Sequence, residues 1–232
     1  MMLMKSRCAL LLLALAAALP AAQAQTEKWP VKPVRVVVPF PAGGSTDIVA
    51  RLLGARLSEE FGQQFVVDNR GGAGGTIGAE IVVRANPDGY TVIILASSYS
   101  TAAALYKLPY DPVKDIAPIS LINTGPLILS VNASMKVANL KEFIELLRAK
   151  PGALNFGSPG TGSAPHLAAA LFQQMSGTNM MHIPYKGDAP AIADLLAGQI
   201  HVMLLSGPAL LPLVKAGRLR ALAVTTAQRW PA

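Results

Sequence analysis

The sequence of 232 residues has little cysteine, few aromatic residues and a low charge density. Its one cysteine is Cys8, and only 6% of the residues are aromatic and 14% charged. A single cysteine excludes a disulfide within the chain. The lysines and arginines are scattered singly, with no basic run and few aromatic rings to stack on bases. This pattern argues against nucleic acid as a partner.

Residues 1–24 have the three parts of a secretory signal peptide. Lys5 and Arg7 precede an apolar stretch that starts at Cys8, and an A-x-A sequence ends at Ala24. The apolar stretch is shorter than the roughly 20 residues that span a membrane. Cleavage after Ala24 leaves 18 of the 20 basic residues against 13 acidic ones, a net charge of +5. We therefore expect an exported protein that has lost its cysteine.

Short apolar or β-branched runs alternate with amphipathic stretches along the remaining chain. This alternation predicts an α/β fold with parallel layers. The predicted strands are Val34–Phe40, Gln64–Asp68, Thr91–Ala96, Ile119–Asn123, Leu127–Val131, Leu154–Gly157, Met180–Pro184, His201–Leu205 and Leu219–Val224. The predicted helices cover about Ile48–Phe61, Gly75–Ala85, Leu140–Leu147, Ala164–Met175, Pro190–Ala197 and Ala209–Ala216.

Three glycine-rich loops each follow a predicted strand and precede a predicted helix. They read PFPAGGSTD at residues 39–47, DNRGGAGGTIGAE at 68–80 and GSPGTGSAPHLA at 157–168. The free N–H groups of helix starts attract anions, and ligands of open α/β sheets bind beyond the carboxyl ends of strands. One such loop is usually only a turn. Three in equivalent positions predict a shared cleft for a phosphate, a catalytic oxyanion or a small carboxylate.

Motif spacing argues against nucleotide binding and catalysis in this cleft. The sequence contains no Gly-Lys-Ser/Thr, no G-x-G-x-x-G and no G-x-S-x-G. Its three histidines show no metal-binding spacing. His182 and His201 fall in predicted strands and are expected to be structural. His166 falls in the first turn of a helix, where it either binds the ligand by a hydrogen bond or serves in capping and packing.

Six segments together resemble one protein family. In chain order they are PFPAGGSTDIVAR, NRGGAGGTIGAE followed by NPDGYT, LPYDPVKDIAP, GSPGTGSAPHLA, IPYKG and AGRLRALAVT. The sequence is similar here to the receptor family of tripartite tricarboxylate transporters, the Bug-type periplasmic solute-binding proteins. The resemblance implies a two-lobed α/β fold of the periplasmic-binding-protein type (type II-like), with a hinge and an interlobe cleft.

The resemblance also implies the function and the domain organisation. It implies a monomeric receptor, not an enzyme, which binds a small carboxylate without a cofactor or metal and delivers it to the membrane permease components of the transporter. After the signal peptide at 1–24, lobe 1 is expected at 25–125, lobe 2 at 126–224 and the start of a return to lobe 1 at 225–232. Family members continue further, so the C-terminal part of lobe 1 is expected to be missing from this sequence. The hinge is expected near residues 123–127 and 223–226.

The residues that the resemblance assigns to the ligand lie on two walls of the cleft. Backbone donors would hold a carboxylate, whereas Asp47 is assigned to capping, to water, or to a hydroxyl or amino group of the ligand. Lys186 is equally well a solvated surface charge. The first wall comprises Phe40, Gly43, Gly44, Ser45, Thr46 and Asp47, with Ser97 and Ser98 at the end of a neighbouring strand. The second comprises Ser158, Thr161, Gly162, Ser163, His166, Tyr185, Lys186 and Gly187.

Two other functions remain open from the sequence. One is an exported serine hydrolase that uses a serine of the third loop with His166, although the nucleophile motif and a third catalytic partner are missing. The other is a receptor that serves a sensor protein instead of a permease. Turnover of ester or amide substrates distinguishes the first of these from a binding protein.

The signal-peptide interpretation predicts a mature N-terminus at Gln25, because Ala22-Gln23-Ala24 matches the small-residue cleavage pattern. N-terminal sequencing and intact mass of the exported protein measure it. A mature chain that begins at Met1, or one that carries a lipid on Cys8, contradicts the prediction.

Overall fold

Two β-sheets, each flanked by helices, form the framework of the protein. The computed structural model describes residues 28–230, so the predicted signal peptide and its cleavage site lie outside the described residues. Residues 32–230 belong to one compact unit that contains both sheets, and residues 28–31 belong to a separate unit.

The first half of the described chain builds a three-stranded parallel sheet in the order β2-β1-β3. Its central strand is a run of four valines and one arginine, of which the valines are buried. A nearly continuous apolar run is typical of a parallel strand covered on both faces. The elements are β1 (Val34–Val38), α1 (Ser45–Phe61), β2 (Phe65–Asn69), a 3-10 turn (Ala73–Gly75), α2 (Thr76–Val83), β3 (Thr91–Ile93) and α3 (Ser98–Leu105).

The second half builds a five-stranded mixed sheet in the order β6-β5-β7-β4-β8. Its core lies on both faces, because alternate residues of a strand point to opposite sides. In the strand at 202–206, Val202 and Leu204 join one buried cluster, whereas Met203 and Leu205 join the other. The elements are β4 (Leu127–Asn132), α4 (Leu140–Ala149), β5 (Asn155–Ser158), α5 (Ala164–Ser176), β6 (Met181–Pro184), α6 (Asp188–Ala197), β7 (Val202–Ser206), α7 (Gly207–Lys215) and β8 (Leu219–Val224).

The prediction of purely parallel layers is wrong for β4. This strand runs antiparallel to both β7 and β8. The connection through α7 makes β7 and β8 parallel to each other but leaves a gap of one strand between them. The strand that arrives from the first sheet fills this gap in the opposite direction, which an alternation of strands and helices cannot reveal.

Two local predictions are also wrong. Residues 119–123 form no strand, and Ile119 and Leu121 are 85% and 80% exposed, because no neighbouring strand pairs with this segment. Ser97 and Ser98 do not end a strand, since β3 stops at Ile93 and Ser98 begins α3. Helix α3 was not among the predicted helices.

Within the described residues, no helix is both long enough and apolar enough to cross a membrane.

The two sheets should differ in local stability, and their central strands provide a matched comparison. β1 lies between two strands and packs on one buried cluster, whereas β7 lies between two strands and contributes to two. We expect backbone amides of β1 to exchange with solvent faster than those of β7, because less apolar area must be exposed to open the smaller sheet. Hydrogen exchange followed by mass spectrometry measures this, and equal protection of the two strands contradicts it.

Candidate functional site

A cleft of about 590 Å³ lies between the two sheets. Residues from the loops and helix starts of both sheets line it, together with the segment that connects them. From the first sheet the lining residues are Phe40, Ser45, Thr46, Val49, Ile94, Leu95, Ala96, Ser97 and Ser98. From the connecting segment and the second sheet they are Leu121, Asn123, Thr124, Gly125, Leu127, Pro159, Ser163, Ala164, Pro165, Asp188, Leu205, Ser206 and Pro208.

Five helices begin at this cleft. Ser45 begins α1, Ser98 begins α3, Ala164 begins α5 and Asp188 begins α6, and all four residues line the cleft. The fifth helix, α7, begins directly after Ser206, which is its N-cap and also lines the cleft. The first N–H groups of a helix have no partner within the helix, and its dipole places partial positive charge there. The cleft is therefore built to attract anions.

No lysine or arginine is among the described residues that line the cleft. The polar groups available there are backbone N–H groups, the hydroxyls of serine and threonine, one amide and one carboxylate. An anion in this cleft would therefore be held by dipoles and hydrogen bonds rather than by a basic side chain.

Asp47 organises the first loop instead of facing the cleft. Its carboxylate accepts hydrogen bonds from the Gly43 N–H at 2.9 Å, from Arg51 Nε at 2.9 Å and from Asn69 Nδ2 at 3.0 Å. Burial alone would raise the pKa of Asp47, but the hydrogen bonds from Arg51, Gly43 and Asn69 outweigh it and hold the pKa below its ordinary value. The Gly43 N–H that Asp47 accepts belongs to the residue before the N-cap Gly44, and Asp47 does not line the cleft.

The two glycines of the first loop have different roles. Gly43 has a φ of +85°, a left-handed conformation that disfavours other residues, and it turns the chain into α1. Gly44 is extended at a φ of −83°, and its importance is steric. A Cβ atom on Gly44 would lie 3.2 Å from the Cβ atom of Asp188. Neither glycine lines the cleft, but together they bring the start of α1 next to the start of α6.

The second glycine-rich loop supports the cleft from behind and does not line it. The Ser98 hydroxyl donates to the Gly74 carbonyl at 3.0 Å. A Cβ atom on Gly75 would lie 3.4 Å from the Phe40 ring. The expectation that all three glycine-rich loops share one cleft is therefore wrong for this loop, because its close packing against Phe40 and Ser98 leaves it in the layer underneath.

The serines of the third loop are occupied by structural hydrogen bonds. Ser158 is fully buried, and its hydroxyl lies 2.7 Å from Nε2 of His182. The Ser163 hydroxyl donates to the Gly160 carbonyl at 2.7 Å and accepts the backbone N–H of His166, which caps α5. Neither hydroxyl bonds to the His166 ring, so the pairing required by a serine hydrolase is not formed. Ser163 lines the cleft, whereas Ser158 and the exposed Thr161 do not.

His166 and His182 form a stacked pair beside the third loop. Their ring centroids lie 4.1 Å apart, and His182 stacks on Phe156 at 4.7 Å. Nδ1 of His166 accepts the Gly162 N–H at 3.1 Å. Burial lowers the pKa of His182 to about 4, with a further contribution from His166, and burial also lowers the pKa of His166. Both rings are therefore neutral near pH 7 and hold the third loop in place, and neither lines the cleft.

The segment Tyr185-Lys186-Gly187 packs behind the second wall. The Tyr185 hydroxyl donates to Asp194 at 2.6 Å, and burial together with this carboxylate raises the pKa of Tyr185 to about 12. Lys186 is exposed, which agrees with a solvated surface charge. A Cβ atom on Gly187 would lie 2.6 Å from Cδ of Pro41, so glycine permits the close approach of the two walls. None of the three lines the cleft.

Sequence reasoning missed part of the lining. Asn123, Thr124 and Gly125 were assigned only to the hinge, and Asp188 was not assigned to the ligand. Ser206 was not assigned to the ligand, although Ser206, Gly207 and Pro208 follow a strand and begin a helix. The glycine-rich loops have the same strand-to-helix pattern, although this turn contains a single glycine. The pattern could have identified Ser206 as a residue of the cleft.

Residues 28–230 contain no group of three or more His, Cys, Asp or Glu side chains placed to hold a metal ion.

Comparison with known proteins identifies the family. A sequence profile described as "Tripartite tricarboxylate transporter family receptor" matches residues 49–232. The chain belongs to this receptor family. It is a family of solute-binding receptors without enzymatic activity, as the sequence resemblance implied.

Curated relatives are longer than the present chain. Protein BugT of Bordetella pertussis is 39% identical over 212 residues, which are 90% of this chain and 65% of BugT. A second relative, from Bordetella bronchiseptica, is 40% identical over 218 residues, which are 93% of this chain and 64% of that protein. The chain therefore spans less than two thirds of the length of these relatives.

Several solved structures share the fold of this chain. The Rhodopseudomonas palustris protein Rpa4515, whose structure contains adipate, is 43% identical with a TM-score of 0.85, over 88% of this chain and 69% of that one. MatC of Rhodopseudomonas palustris, with bound malate, is 32% identical with a TM-score of 0.78, over 87% of this chain and 69% of that one. These matches confirm the α/β periplasmic-binding-protein fold.

The stacked histidines predict a stability that falls in acid. A histidine whose pKa is lowered by folding is neutral in the folded state, so stability is lost as the pH falls from about 6.5 towards the folded value. We expect His182→Phe, which keeps a ring beside Phe156 but cannot be protonated, to reduce the loss of Tm between pH 7 and pH 5 by about 2–4 °C. Thermal melts of both proteins across this range measure the difference.

The comparison rests on the pH slopes and not on the absolute Tm, because His182→Phe also removes the hydrogen bond to Ser158. Burial lowers the pKa of His201 as well, but His201 contributes equally to the pH dependence of Tm in the wild type and in the variant. Parallel Tm profiles for the wild type and the variant would show that the stack does not titrate in this range.

Proposed function

We propose that this chain is the solute-binding receptor of a tripartite tricarboxylate-type transporter. In this proposal it captures a small carboxylate in the cleft between its two sheets and delivers it to the permease components in the membrane. The observation that carries the proposal is the convergence of five helix starts on one cleft, among whose described lining residues there is no basic side chain. Such a cleft suits a carboxylate, because N–H groups and hydroxyls bind its two oxygens from several directions.

Family membership supports the ligand class. One solved relative is described with adipate and another with bound malate, and both ligands are small dicarboxylates. The apolar part of the lining in this chain includes Val49, Leu95 and Leu205, which suit the methylene groups of a short acid. We therefore propose a short aliphatic carboxylate as the ligand.

The proposal includes a location and a hinged motion. The chain acts in the periplasm as a monomer after cleavage behind Ala24, with lobe 1 at 25–125 and lobe 2 at 126–224. Residues 123–127 form one of the two hinge connections between the lobes, and residues 223–226 form the other. Two bonds at the start of β4 support this assignment. The Leu127 N–H donates to Thr225 Oγ1 at 3.0 Å and the Thr225 N–H donates to the Leu127 carbonyl at 3.0 Å, so the two connections lie side by side.

Blocking the cleft should weaken ligand binding without unfolding the protein. Ala164 lies at the first position of α5 and lines the cleft, so Ala164→Trp places an indole ring where the ligand would lie. We expect the affinity for adipate, malate or succinate, measured by calorimetry after removal of co-purified ligand, to fall by about tenfold or more, since a bulky ring displaces several contacts.

Ala170→Trp provides the matched control, because Ala170 is an exposed residue of the same helix outside the cleft. It should bind as the wild type does, and circular dichroism should show the same helix content in all three proteins. Equal affinity of Ala164→Trp and Ala170→Trp would place the ligand elsewhere. Native mass spectrometry of the purified protein identifies any ligand carried from the cell.

A further inference from the structure

The cleft contains a single charged side chain among its described lining residues, and that side chain is acidic. Asp188 is the first residue of α6, on the second wall. Its Oδ2 atom accepts the backbone N–H of Ser45, on the first wall, at 2.9 Å. Ser45 is the first residue of α1, so this N–H has no partner within its own helix. A carboxylate of the protein thus occupies a donor that would otherwise be available to the carboxylate of a ligand.

The surroundings of Asp188 are built for this contact. Gly44 permits it, because a Cβ atom there would lie 3.3 Å from Oδ2 of Asp188. The buried Ser45 hydroxyl lies close to the same carboxylate and has no well-aligned hydrogen-bond partner among the described residues. Burial raises the pKa of Asp188 despite the hydrogen bonds from Ser45. Among the described residues, no lysine or arginine lines the cleft beside it. The contrast with Asp47, which Arg51 neutralises, shows that the two acids of this region have different roles.

We propose that Asp188 is a specificity-determining residue that competes with the ligand for the start of α1. The inference rests on the proposed function. A ligand carboxylate at this end of the cleft would compete with the carboxyl group of Asp188 for the Ser45 N–H, and an ionised Asp188 would also repel it. A hydroxyl or ammonium group at the same place would instead donate a hydrogen bond to Asp188. The cleft therefore prefers an acid whose far end carries a hydrogen-bond donor over the diacid of the same length.

A pair of ligands of equal length tests the preference. Adipate and 6-hydroxyhexanoate differ only in that a hydroxymethyl group replaces one carboxylate, and succinate with 4-hydroxybutyrate gives the same comparison in a shorter chain. For each pair, the measured quantity is the affinity for the hydroxy acid divided by the affinity for the diacid. This ratio should be about tenfold higher in the wild type than in Asp188→Asn, because asparagine keeps an acceptor for the Ser45 N–H but removes the repelling charge. Calorimetry at pH 7 measures the affinities of each protein for the four ligands.

Asp194→Asn is the matched control, since it removes one acidic charge from the same helix at a residue that bonds to Tyr185 and does not line the cleft. It should leave the preference of the wild type unchanged. An unchanged preference in Asp188→Asn overturns the proposal, and so does an equal shift in Asp194→Asn, which would reflect net charge alone.

A ligand-free measurement separates this proposal from the proposed function. In the free protein, the Ser45 amide should exchange with solvent at least about tenfold faster in Asp188→Ala than in the wild type, because only the wild type offers it an acceptor. Equal exchange rates mean that Asp188 does not occupy the start of α1 and overturn the inference. If none of the acids binds any variant, the proposed function fails, while the exchange rates still decide whether Asp188 holds this donor.

Discussion

The unpaired N–H groups at helix starts are the constraint on which this structure depends. Each unit that runs from a strand through a tight loop into a helix leaves several such donors, and a buried donor without a partner is costly. The protein satisfies some of them with its own side chains. Asn139 caps α4 and Ser163 caps α5. At the cleft, where α1, α3, α5, α6 and α7 begin together, the remaining donors are available to a ligand.

Two carboxylates show how the same residue type obtains different properties from its surroundings. Asp47 receives hydrogen bonds from Gly43, Arg51 and Asn69, and this raises the population of its charged form. Asp188 receives the Ser45 N–H but no basic side chain, and burial disfavours its charge. One acid therefore holds the first loop through its hydrogen bonds, whereas the other occupies a donor at a helix start in the cleft.

Much of the fold follows from local sequence patterns. β8 occupies Leu219–Val224 as predicted, and the other strands of the second sheet lie within one residue of their predicted bounds. The family resemblance assigned six residues to the ligand that line the cleft, namely Phe40, Ser45, Thr46, Ser97, Ser98 and Ser163. The strand predicted at 119–123 failed because a strand needs a neighbour, and no local pattern shows whether one is present. The antiparallel β4 failed for a similar reason, since strand direction depends on connections made far along the chain.

The stacking of His166 depends on the register between β5 and β6, which exists only in the folded sheet. β5 and β6 pair so that Phe156 lies opposite His182, and this register lets the His166 ring stack on the other two. A shift of one residue would turn His182 to the other face of the sheet. Asp188 and Ser206 also reach the cleft only because the second sheet faces the first. A sequence therefore shows which groups are chemically suited to a site, whereas tertiary placement decides which of them meet.

The volume of the cleft has a consequence for its hydration. A space of about 590 Å³ accommodates on the order of twenty water molecules at the density of the liquid. A short aliphatic acid displaces only some of them, so the rest would stay between the ligand and the helix starts. Water molecules that bridge polar groups are nearly as favourable enthalpically as direct hydrogen bonds. Acids of different length can then be accommodated by the exchange of solvent at one end, while the backbone that forms both walls stays unchanged.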